Sequence, residues 1–150
     1  MAISQRIRTQ GVPDSFIDLT GTELRRAERY RTFLSLGILE LGFDSERPTE
    51  SECADLTDHL CDRIQQGVRG CDKVSAIDNC RLCLLLPETS RQGAEAALKR
   101  IISEIGRELS QLFNDGNRPT LSVELASYPD AAGARTIRQV LEGLERQNQN

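Results

Sequence analysis

Some residues of this 150-residue chain have types and spacings that can do chemistry. In "SAIDNCRLCLLLPETS", residues 75–90, a polar bend of Asp78, Asn79, Cys80 and Arg81 joins two apolar runs, and Pro87 stops the second. A carboxylate, an amide, a thiol and a guanidinium at the tip of a hairpin form either a reactive turn or only a turn. Just upstream, Arg69 and Asp72 stand three apart at the end of a helical pattern. On spacing alone they predict a local ion pair worth about 0–1 kcal/mol. Cys80-x-x-Cys83, with Cys71 nearby, invites a zinc or redox reading. Residues three apart in a strand face opposite sides, however, and no second pair completes a tetrahedral set, so no metal is expected. Cys83 reads as a small core hydrophobe and Cys80 as an exposed, oxidisable thiol. His59, the single histidine, lies beside an apolar helical stripe and reads as a boundary residue.

The totals narrow the function classes. A net charge of −4 supplies no basic field for nucleic acid or anionic lipid. The absence of Trp and the scarcity of other aromatics remove support for base stacking on a single strand. No apolar run approaches the roughly 20 residues that cross a bilayer, and the start of the chain lacks a signal-peptide core. Five cysteines without an export signal predict free thiols and a cytoplasmic protein. No cofactor, membrane or nucleic-acid partner is implied.

The elements that must position these residues follow from periodicity. Residues 1–17, punctuated by Gly11 and Pro13, read as a flexible lead-in, with the folded domain spanning 18–150. A charged helix starts near Thr20 or Thr22, and "FLSLGILELGF" is strand-length and apolar. Thr49 or Ser51 can cap a second helix, whose Cys53, Leu56, Leu60, Ile64 and Val68 make one stripe. After the hairpin comes a long amphipathic helix with Ala94, Leu98, Ile101, Ile105, Leu109 and Leu112 on one face. "LSVELASYP" alternates, with Leu121, Val123 and Leu125 together, and Thr136 to Arg146 form a last helix. A hairpin inserted between helices implies a mixed or antiparallel sheet, and hence an α+β sandwich of ferredoxin-like type.

Several short stretches, in order, carry a resemblance. "DLTG" with Arg25-Arg26, "VRGCD" at 68–72, "LLLPET" at 84–89, Ala94 with "LKRI", and "SVELASYP" resemble the conserved stretches of GGDEF domains. These are diguanylate cyclases, which join two GTP molecules into cyclic di-GMP. The resemblance covers roughly residues 18–146 and implies a nucleotidyl-cyclase-type central sheet with flanking helices. Counting from Arg69 and from Pro87 places Asp78 and Asn79 where the family has its two glycines. Cys80 and Arg81 then stand at the acidic positions and Leu82 at the Phe.

In the family the glycines let backbone approach the nucleotide, and carboxylates hold Mg²⁺. Here Cys80 is a poor ligand for a hard cation and Arg81 brings the wrong charge. Glu40 is left near the first metal-binding position, with Gly42 near the second. "FDSERPTESECAD" replaces the guanine-binding stretch. The resemblance therefore implies a vestigial active-site turn at Asp78–Arg81, no catalytic residues and no cyclase activity, with residual GTP chemistry through Glu40 as an alternative.

One family feature keeps its position. Arg69-Gly70-Cys71-Asp72, followed by five residues before the turn, matches the R-x-x-D inhibitory site that binds cyclic di-GMP. An Arg fork matches guanine O6 and N7, and a carboxylate can accept from N1–H and the exocyclic amine. Arg100 falls where some members place a further arginine. The resemblance thus implies a non-catalytic module of bacterial second-messenger signalling, binding cyclic di-GMP through Arg69, Asp72 and Arg100. The alternative is a nucleotide-free module for a protein partner or self-association.

Overall fold

The computed structural model describes residues 12–44, 48–114 and 116–149. Its elements run α1 (Asp14–Tyr30), β1 (Leu34–Gly42), α2 (Glu50–Gly67), β2 (Lys73–Ala76), β3 (Arg81–Pro87), α3 (Arg91–Leu112), β4 (Thr120–Tyr128) and α4 (Ile137–Asn148). The strands form one sheet in the order β2-β3-β1-β4. Of the mixed and antiparallel sheets the sequence allowed, the antiparallel one forms, at every pairing. Each helical crossover joins strands that are not neighbours, and the strand between them runs the other way. This is the α+β, ferredoxin-like arrangement expected.

β1 and β3 are central and covered on both faces, which explains their near-continuous apolar sequences. Leu34, Leu36, Ile38, Cys83 and Leu85 pack with α1 and α4 on one face. Leu39, Leu41, Leu82, Leu84 and Leu86 pack with α2 and α3 on the other. Gly37 is where α3 comes closest: a Cβ there would meet Leu98 Cδ2 at 3.3 Å. Thr49 closes a capping box with Glu52 at the start of α2, and Ser90 caps α3. No helix among the described residues is long and apolar enough to cross a membrane.

The structure departs from the sequence reading at several points. Helix α1 begins at Asp14, not near Thr20, so residues 12–17 belong to the domain, with Val12 and Phe16 buried. "GVPDS" has the look of a loop, but Pro13 and Asp14 are also helix-start residues. Thr20 is buried in mid-helix and donates to the Phe16 carbonyl at 2.8 Å. The remainder of the expected lead-in, residues 1–11, lies outside the described residues. Leu112 is 54% exposed, and Phe113 turns inward instead, 6.5 Å from Phe43 between ring centroids. On the edge strand β4, Leu125 is buried while Val123 is exposed. Glu124, a charge on that strand, is clasped by Arg135 through Nε at 2.6 Å and through Nη2. Arg135 holds the Glu124 carboxyl below the usual carboxylate range.

Two stability predictions follow from this packing. In urea denaturation Leu84→Ala should cost about 2–5 kcal/mol, and Leu112→Ala should stay within about 0.5 kcal/mol of the parent. A depressed folded-state pKa stabilises above the unfolded value and is lost as pH falls through it. Glu124→Gln should therefore lower stability at pH 7 by up to about 1 kcal/mol for so exposed a pair. That difference should disappear on acidification.

Candidate functional site

The first of the two places where sequence predicted chemistry is the loop between α2 and β2. Asp72 is only 3% exposed. Its Oδ2 accepts from the Arg69 backbone N–H (3.0 Å) and Nε (3.2 Å), and its Oδ1 accepts from Arg69 Nη2 (3.0 Å) and the Cys71 thiol (3.8 Å). Gln65 of α2 fastens the same loop, donating to the Asp72 carbonyl at 2.8 Å and accepting from Val74 N–H at 3.1 Å. The Arg69 pKa lies above the ordinary arginine value, first because of the hydrogen bond to Asp72, with smaller contributions from Cys71 and Glu88. The local ion pair expected from spacing is present, with one partner buried.

Arg69 also reaches out of its own loop. Nη2 donates to the Pro87 carbonyl at 2.9 Å and to Thr89 Oγ1 at 2.6 Å. The β3–α3 junction is held from the other side by buried Ser35 of β1, whose hydroxyl donates to the Thr89 carbonyl at 2.9 Å. An open groove of about 590 Å³ lies along this junction, and Arg69, Asp72, Glu88, Ser90 and Arg100 are among the residues that line it. The structure thus brings Arg69, Asp72 and Arg100 to one place. The guanidinium of Arg69 keeps Nη1 without a partner among the described residues, and Arg100, exposed on α3, is likewise unpaired there. Asp72 differs from expectation. The two acceptor directions on each of its oxygens are taken, so it orients Arg69 and has none left for a ligand.

The second place is the hairpin turn. Asp78 Oδ1 accepts from the backbone N–H groups of Cys80 and Arg81, both at 2.9 Å. Asp78 Oδ2 takes Arg81 Nε at 2.8 Å. The N–H groups of Ile77 and Asp78 donate to the Arg81 carbonyl. This is an Asx-type turn. A side-chain carboxylate occupies the donors that a phosphate-binding turn offers to its ligand.

Three other elements pin the turn. Leu41 N–H donates to the Cys80 carbonyl at 2.8 Å, buried Thr57 of α2 to the Asn79 carbonyl at 2.6 Å, and Arg81 Nη2 to Gln147 of α4 at 3.0 Å. Cys80 is consequently buried, not the exposed thiol expected. Cys83 is fully buried beneath the sheet, and burial pushes its thiol pKa strongly upward.

Among the described residues the donors near this turn do not fit a magnesium site. Glu40 lies opposite Arg81 in the β1–β3 register. Among the described residues no three His, Cys, Asp or Glu side chains are grouped to hold a metal ion. In the stretch between β1 and α2, residues 45–47 lie outside the described residues, and Thr49–Glu52 form the helix cap. His59 is not idle: it meets Glu108 of α3 at 2.8 Å, with Arg63 at 3.6 Å, and His59 before Arg63 lowers the Glu108 pKa. The signal available for that pair was a single helix-surface histidine, which names no partner.

No protein-family model matches the chain, and no curated protein matches it in sequence. Solved structures do match. The active GGEEF domain of a diguanylate cyclase from Vibrio cholerae superposes with a TM-score of 0.66 at 12% identity, covering 93% of this chain and 88% of that one. The GGDEF domain of DgcB from Caulobacter crescentus, in complex with c-di-GMP, gives 0.63 at 13% identity, covering 97% and 88%. Diguanylate cyclase SiaD from Pseudomonas aeruginosa, in complex with its activator SiaC, gives 0.63 at 17% identity, covering 97% of this chain and 57% of that one. At such identities the likeness establishes the fold: this chain folds as a GGDEF domain.

The closed turn is testable without any ligand. Asp78→Ala leaves two backbone donors and the Arg81 guanidinium without their carboxylate. The loss should be about 1–3 kcal/mol in chemical denaturation. A change within about 0.5 kcal/mol would mean that the turn is held by its outer contacts alone.

Proposed function

We propose that this chain is a non-catalytic receptor domain for cyclic di-GMP, using the groove at the β3–α3 junction. The observation that carries the reading is the convergence of Arg69 and Arg100 on one open groove, with Arg69 locked in place by a buried carboxylate. A fixed fork loses less freedom on binding than a mobile one. Two cations suit a ligand with guanine O6 and N7 acceptors and two phosphodiesters.

Loss of cyclase chemistry is supported by the turn, where Asp78 takes the N–H groups of Cys80 and Arg81, and by the lack of a fitting donor set for magnesium among the described residues. The c-di-GMP complex of the DgcB domain makes the ligand class reasonable for this fold. Binding can then switch the domain only through different affinity for two of its states, such as free and partner-bound.

A second reading, a nucleotide-free interaction module, is favoured by one surface feature. Tyr30 and Phe33 are 63% and 51% exposed, and Tyr30 carries Arg29 over its ring. SiaD, of which this chain matches 57%, forms a complex with its activator SiaC, so a protein partner is in keeping with a chain that contains this fold.

Calorimetric titration with cyclic di-GMP separates the readings. The receptor reading predicts micromolar or tighter binding that Arg100→Ala weakens about tenfold or more. Arg69→Ala should abolish binding, but it also leaves buried Asp72 unpaired, so its folded state must be verified. No heat at concentrations where micromolar affinity would show contradicts the receptor reading. Incubation with GTP and Mg²⁺, followed by chromatography, should give no cyclic product.

A further inference from the structure

We propose that Glu88 is the residue that makes the groove select guanine, taking the acceptor role that Asp72 cannot fill. The inference rests on the receptor reading above and deepens it. Guanine presents N1–H and an exocyclic amine side by side, and a carboxylate matches both donors at once. The acceptor directions of Asp72 are all taken by Arg69 and Cys71, and Asp72 is 3% exposed. Among the described residues the groove is lined by one further carboxylate, Glu88.

Its placement suits the task. Glu88 has φ +52°, a backbone conformation that residues other than glycine seldom adopt. The backbone on either side is fixed: the Pro87 carbonyl receives Arg69 and Thr89, and the Thr89 carbonyl receives Ser35. The strained residue is therefore pinned between the end of β3 and the start of α3, where it lines the groove. Its carboxylate lies 3.8 Å from Arg26 of α1, with both side chains more than half exposed. Turning toward a ligand would break only a long, solvent-screened pair.

With Arg69 or Arg100 on O6 and N7, a carboxylate on N1–H and the amine would surround guanine with complementary groups. Adenine offers an acceptor at N1 and a donor in place of O6, so the same groups would meet it with like against like.

The test uses the full chain titrated with cyclic di-GMP and, separately, cyclic di-AMP. Glu88→Gly removes the carboxylate and relieves the positive φ, so a folded, undiminished thermal midpoint is expected. Glu88→Gln is the isosteric control. The inference predicts that the parent prefers cyclic di-GMP, and that both variants weaken its binding by about tenfold or more and narrow the preference. Unchanged binding in both variants, with Arg100→Ala still impaired, overturns the role of Glu88 and leaves the receptor reading standing. Absence of binding by the parent overturns both.

Discussion

A carboxylate at 3% exposure needs hydrogen bonds on both oxygens, and Asp72 takes three of its bonds from a single residue, Arg69. That constraint fixes more than a loop. The same guanidinium runs on to the Pro87 carbonyl and Thr89 hydroxyl, so the end of α2, the start of β2 and the β3–α3 junction are joined through one side chain. The groove lies along these joined segments. Glu88, between two anchored carbonyls, and Arg100, on the helix that follows, take their places from it.

The hairpin turn shows the opposite use of a carboxylate. Asp78 turns back onto the N–H groups of its own turn and onto Arg81, and the bond from Arg81 to Gln147 draws in the last helix. In one loop an internal anion orients a cation toward solvent. In the other it closes the donors that a ligand would need. Both are three-residue relations between an acid and an arginine, and their consequences differ because Asp72 is buried under an exposed Arg69, whereas Asp78 and Arg81 are both partly covered.

The sequence was legible where burial is periodic. The α2 stripe, the two central strands and the cap at Thr49 all follow from local pattern, and so does the hairpin. Illegible were features whose cause lies far along the chain. Cys80 is buried because Leu41 and Thr57 reach the turn from β1 and α2. That Glu124 pairs with a basic residue could be expected of a charge on a covered strand, but that the residue is Arg135 could not be named. At the candidate site, position was readable and role was not. Spacing brought Arg69 and Asp72 together, but only the geometry tells which lone pairs remain. Pro13 and Asp14 were helix-start signals in plain view, masked by a polar context that also fits a loop.

The central claim is that ligand is met by the groove and not by the turn. Amide chemical shifts recorded during a cyclic di-GMP titration of isotopically labelled protein test this most directly. The account predicts progressive shifts at Arg69, across residues 88–93 and at Arg100, with Ile77 to Arg81 unmoved. Shifts centred on Asp78–Arg81, or none anywhere in the chain at saturating ligand, would contradict it.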